Sequence, residues 1–402
     1  MGVFPRWVGA LSTERVFFFQ SHGGTWTGAA LREGVGRMIN SGRLPRRLAA
    51  TLSLAVAGCG IAVASAAGTA QAATPDAWGY ALVLKPSGPV DATHWKESVA
   101  SPTPTASPGA PGQVFVSFPK IGRFKRGIVH VTAVIDELAW CQAQRWYPTG
   151  GKEVVAVRCY TKGGKPTFVP FTVLFTTSSG KRPGGLQYAY VHDNGTSVVA
   201  SYNSTGLPDT VANLGTGVWR VKLPGAGPAT HSGGIQVTAV NRTRPAICNV
   251  AGQTWKTSGQ TITVRCYGPS GKPLKTGWDL SYQRGRAITG GKPKLFAYTL
   301  NTHPLAAGPY APAPAGINVN TGGGVNTIER SGGGEWLVRL PRLGVLPNTV
   351  QVTAASSTVR VCNLNTTWAT TAGPGTVIVR DVACYKVSGA MTPSKWFLSY
   401  TT

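Results

Sequence analysis

Charge is scarce in this chain. Asp, Glu, Lys and Arg make up 13% of 402 residues, and only 14 are acidic. The carboxylates of the body do not recur in register, and Asp136 and Glu137 are adjacent, so on a strand they face opposite sides and form a poor catalytic dyad. No Cys-x2-Cys pair or His cluster supplies a zinc ligand set. Nucleophile elbow, P-loop and dinucleotide fingerprint are all missing. "GPSGKP" from Gly268 lacks the upstream glycine spacing and the Ser/Thr after lysine, and "GTGVWR" from Gly215 lacks a third glycine. His94, His130, His192, His231 and His303 are scattered, and His94 with Glu97 has no further partner in sequence. These absences weigh against an enzyme, a metal site or a cofactor.

Glycine and proline, by contrast, are abundant, at 52 and 29 residues, and Val/Thr/Tyr/Trp runs are frequent. That composition predicts β structure with turn-rich connections. The length suits two to four domains. The net charge is +25, and 32 of the 39 Lys and Arg but only 12 of the 14 Asp and Glu follow residue 72. Basicity therefore belongs to the body. It favours polyanions such as anionic wall polymer, acidic glycan or lipid headgroups, with nucleic acid only as a non-specific partner.

Residues 38–72 read as a signal peptide. Arg43, Arg46 and Arg47 precede an uncharged stretch from Leu48, and Ala70-Gln71-Ala72 is a small-x-small cleavage signal before Ala73. Leu48 to Gly68 is long enough to span a bilayer, but its alanines and glycines make it weakly apolar, which favours cleavage. Val56-Ala57-Gly58-Cys59 resembles a lipobox and offers lipid anchoring through Cys59 as the alternative, while Arg46-Arg47 is a weak twin-arginine signal. Residues 1–37 do not fit a leader, so Met38 is the expected start and Arg32-Glu33-Gly34 the trace of a ribosome-binding sequence. Secretion, with or without wall association, is the expected localisation.

Setting Cys59 aside leaves six cysteines as Cys141/Cys159, Cys248/Cys266 and Cys362/Cys384. Each couple sits in its own copy of an internal repeat, which selects three local disulfides from the fifteen possible pairings. Closing each loop should stabilise its unit by about 3 kcal/mol. The repeat opens at Tyr80-Ala81, Tyr188-Ala189 and Phe296-Ala297 and continues through "VHVTA", "IQVTA" and "VQVTA". It ends on a C-Y-x3-G-x6-aromatic stretch that carries Gly164, Gly271 and Gly389. A fixed period over three units is an array. The units are 76–178, with a Pro/Ser/Thr-rich insert at 100–113 that reads as extended and mobile, then 186–284 and 294–402.

Alternation such as Trp219, Val221 and Leu223 against Arg220 and Lys222 marks half-buried antiparallel strands. The predicted fold class is all-β, with three tandem β-sandwich repeats, immunoglobulin-like or jelly-roll-like, of about seven strands and one disulfide each. On this pattern Trp219, Trp278, Trp336 and Trp396 are core, and His130, aligned with Gln236 and Gln351, is a solvated strand residue.

The V-x-[FL]-P segment (Val116, Phe118, Pro119 and equivalents), the "VTA" strand, the cysteines flanking a tryptophan and the closing aromatic strand resemble tandem repeats in exported actinobacterial proteins with no established function. The resemblance covers about residues 76–402. It implies secretion and a repeated β-domain, and carries over no site residues.

Two sets of candidate binding residues remain. Lys120, Arg123, Lys125 and Arg126, with the junctions Lys181, Arg182 and Arg284, Arg286, Lys292, Lys294, form basic clusters. The Gly-rich junctions suggest flexible linkers that track a polyanion. Trp146, Trp255 and Trp368 lie in the disulfide-closed loops and are the candidates for carbohydrate stacking, with loop-anchoring packing as the plainer role. The expected function is non-enzymatic binding or adhesion at the cell surface, with a ligand-free spacer as the alternative and a polysaccharide-acting enzyme as the least favoured one.

Overall fold

The computed structural model describes residues 76–122, 126–179, 186–227, 229–291, 295–371 and 375–402. The signal peptide, Cys59, Arg123, Lys125, Lys181, Arg182, Lys292 and Lys294 lie outside the described residues. The chain is all-β, and none of the described helices is long and apolar enough to cross a membrane.

The middle unit shows the plan. Eight strands run in chain order: Gln187–Asp193, Val198–Asn203, Thr210–Gly215, Val218–Pro224, Gly234–Val240, Ile247–Lys256, Gly259–Tyr267 and Gly277–Arg284. One four-stranded sheet has the order second, first, eighth, fifth, and the sheet facing it third, fourth, seventh, sixth. The flanking units repeat this plan with small additions. The common strand count is thus eight where about seven were expected. In the first unit, part of the Pro/Ser/Thr-rich stretch is the third strand, Thr105–Pro108, paired with Val114–Ser117. Proline is tolerated there because one side of this strand carries only a short partner at Gly88–Pro89.

Alternation holds where the sequence places it. In the fourth strand Trp219, Val221 and Leu223 are buried and Arg220 and Lys222 exposed. Trp219 meets Trp278, and Trp336 meets Trp396, each at 6.0 Å in the core. The three disulfides are Cys141–Cys159, Cys248–Cys266 and Cys362–Cys384. Each joins directly paired residues of the sixth and seventh strands within one sheet, not the two sheets of the sandwich. Replacing Cys248 and Cys266 together by alanine should lower unfolding stability by ~3 kcal/mol, read as a reduced urea midpoint. An unchanged midpoint would show the bridge to be dispensable.

The three sandwiches do not follow one another as beads. They close into a ring. The edge of the middle unit's first sheet pairs in parallel with the first unit's sixth strand through Val240 and Ala143. The third unit's Ala355 pairs with Val250 of the middle unit, and the first unit's Val134 with Leu364 of the third. At each seam the residue after the first cysteine is an amide that donates to the neighbour's turn. Gln142 donates to the carbonyls of Asn241 and Arg244, Asn249 to Thr358, and Asn363 to Ile135 and Glu137. The glycines of the triplicated motif serve the same closure. Gly164, Gly271 and Gly389 have φ of 80°, 80° and 94°, a region cheap only for glycine. They face Pro245, Val359 and Lys162 respectively, each in the next unit around the ring.

Ring closure overturns the solvated reading of His130. The fifth strands Ile128–Ala133, Gly234–Val240 and Thr349–Ala355 face the ring interior with the side expected to be wet. His130 is 1% exposed, with its imidazole nitrogens 2.8 Å from the Ser281 hydroxyl and 3.2 Å from Thr238. Gln236 donates to Ser399, and Gln351 donates to Thr172 while accepting from Thr132. The contacts pass from first to second, second to third and third to first unit. Burying polar side chains is tolerable here because each finds a partner across the seam.

The second junction is also not a free linker. Ala287, Ile288 and Thr289 are buried, and Ile288 packs against Tyr80 and Leu174 of the first unit. Arg286 is 5% exposed and donates to the carbonyls of Leu186 and Gly290. It holds the junction together and does not present charge to a polyanion.

Candidate ligand grooves at two seams

The seam between the first and middle units carries a groove of about 510 Å³ lined by Arg145, Trp146, His192, Arg242, Arg244 and Lys275, among others. A bulge after Ala143 lets the sixth strand turn away from the seam. Beyond it Arg145 is exposed and Trp146 half-buried. The turn at 241–244 is rigid. The Asn241 side-chain oxygen accepts from the backbone of Thr243 and Arg244, its amide donates to Thr276, and Gln144 donates to the Arg242 carbonyl. With the backbone so occupied, the Arg242 and Arg244 side chains are left to solvent, as is Lys275. Among the described residues, no Asp or Glu lines the groove.

His192 closes its floor. The imidazole meets the Trp146 ring edge at 4.7 Å and bonds the buried Asp279 carboxylate through Nδ1 at 2.7 Å. Burial alone would lower its pKa, but the charge and hydrogen bond of Asp279, aided by Asp193, outweigh that and hold it above the ordinary histidine value. Asp279 also accepts the Val129 N–H at 2.7 Å, which ties the pair to the first unit.

At the seam between the middle and third units a second groove, about 660 Å³, is lined by His231, Ser232, Trp255, Arg284, Tyr298 and Val319, among others. Trp255 is 40% exposed and lies parallel to the His231 imidazole, 4.3 Å between centroids and 6° between planes. The third seam is different. Trp368 is 3% exposed, donates to Asn348 and meets His94 edge-on. Away from Trp368, in the cluster at the ring axis, burial and the charges of Asp136, Glu335 and Glu137 hold the Tyr385 hydroxyl well above its ordinary pKa.

The structure therefore separates the sequence candidates. Of the three loop tryptophans, Trp368 is packing, Trp146 edges the basic groove, and Trp255 is open. Among the basic candidates, Lys120 and Arg126 are exposed away from both grooves, and Arg284 lines the second. The cluster was missed because Arg145 belongs to the first unit and joins Arg242, Arg244 and Lys275 of the middle unit only when the ring closes. Comparison with family models, curated proteins and solved structures returned no match.

Proposed function

We propose that this is a secreted, non-enzymatic binding protein for anionic polymer or glycan at the cell surface. The observation that supports this reading is the basic groove, where four exposed cationic side chains and a tryptophan share one cleft with no carboxylate among the described lining residues. Such a cleft concentrates a polyanion and contributes through salt-sensitive contacts. The export reading rests on the leader and fits a chain stapled by three disulfides.

The test uses purified poly(glycerol phosphate) wall polymer and residues 74–402. The wild type should be retained at low salt and released as salt rises. Arg242→Gln with Arg244→Gln and Lys275→Gln should weaken retention at least tenfold and flatten its salt dependence. Lack of retention of the wild type at low salt would refute the reading and leave the spacer role.

A further inference from the structure

We propose that the Trp255 groove is a separate subsite for an acidic pyranose unit, its ring stacked on the indole and its carboxylate paired with Arg284. This deepens the glycan reading and rests on it, but places recognition at a different seam. The three loop tryptophans occupy comparable places in the sixth-to-seventh strand hairpins, yet only Trp255 among them stands open. An indole left 40% exposed gives up a large share of the burial that makes Trp368 a packing residue. It is nonetheless held in one orientation, because His231 covers one of its faces in a parallel stack. Burial, the largest influence, and the charge of Lys395 lower the His231 pKa against the opposing Gln253 hydrogen bond, so the stacking partner is a neutral imidazole at neutral pH.

The groove floor is close-packed backbone. The Gly233 N–H donates to the Gly316 carbonyl at 2.8 Å, and a Cβ on Gly316 would lie 2.8 Å from that of Ser232. Val319 and Pro314 make one part of the lining apolar, while Thr230 and Arg284 make another polar. The volume lies within the range of ligand pockets. A pyranose presents a flat C–H face to an aromatic plane and hydroxyls around its rim, and a carboxylate on that ring matches a guanidinium. A proline-rich peptide would satisfy the aromatic plane but leave Arg284 without a counter-charge.

The experiment is calorimetric titration of residues 74–402 with tetragalacturonate, with its neutral methyl ester, and with a proline-rich peptide. Wild type should prefer the acid. Trp255→Ala should weaken tetragalacturonate at least tenfold with an unchanged urea midpoint, while Trp255→Phe retains part of the affinity. Arg284→Gln should abolish the preference for acid over ester. The Arg242→Gln/Arg244→Gln/Lys275→Gln variant should bind the tetramer as wild type does, whatever becomes of its wall-polymer retention, so the two readings fail separately. Undiminished binding by Trp255→Ala, no wild-type binding of the tetramer, or a preference for the peptide would each overturn the proposal.

Discussion

Excised from the chain, residues 186–284 should fail to fold, whereas residues 74–402 should unfold in a single cooperative transition. The middle unit's surfaces are completed by its neighbours. Tyr188 and Tyr190 pack with Ile128 of the first unit, and Ile247 shares an axial cluster with Trp140, Val361 and Tyr385. Leu300, Ile317 and Phe397 of the third unit pack onto its own core. Excision also strips the partners from Gln236 and Asn249 and leaves the Val240 and Val250 strand edges unpaired. Exposed apolar surface and open edges favour aggregation, and a unit near 100 residues has little stability to lose. The measurement is circular dichroism and urea unfolding of both chains. A cooperative transition in the isolated unit, or three separable transitions in the whole, would restore independent modules.

Acid should destabilise the ring through His130, and His130→Gln should remove that sensitivity. Burial lowers the imidazole pKa to about 3, against about 6.5 when unfolded. Between those values the unfolded chain binds a proton that the folded chain does not. The neutral imidazole's contribution is thus fully present above about pH 6.5 and is lost as pH falls toward 3. The loss is ~2 kcal/mol at pH 5 and grows toward pH 3. Glutamine already occupies the equivalent positions at Gln236 and Gln351, each hydrogen-bonded across its seam. The variant should therefore match wild type within about 1 kcal/mol at pH 7.5 and exceed it at pH 5, by urea midpoints. Parallel pH profiles for the two proteins would show that His130 titrates freely.

These outcomes divide what is legible in the sequence from what is not. Strand faces were readable wherever one side meets the sandwich core, as at Trp219, Val221 and Leu223, because period two depends only on local backbone geometry. Disulfide pairing was readable because each couple recurs inside its own repeat. The other face was misread at His130, although a signal existed. The "VHVTA", "IQVTA" and "VQVTA" strands put only His, Gln and Thr on that side, while the solvated fourth strand puts Arg220 and Lys222 there. Side chains that hydrogen-bond without carrying charge at neutral pH fit a buried interface better than water. The amide after each first cysteine, Gln142, Asn249 and Asn363, was a second unread signal of the same closure.

By itself, the sequence determined the all-β class, the threefold repetition, the local disulfides and the basic character, because each follows from composition, spacing or short-range alternation. Only tertiary structure decided that the repeats close into a ring, that Arg286 and Trp368 are buried, and that Arg145, Arg242, Arg244 and Lys275 share a cleft. Those facts depend on which unit meets which, and contacts between residues one or two repeats apart leave no period in the chain that carries them.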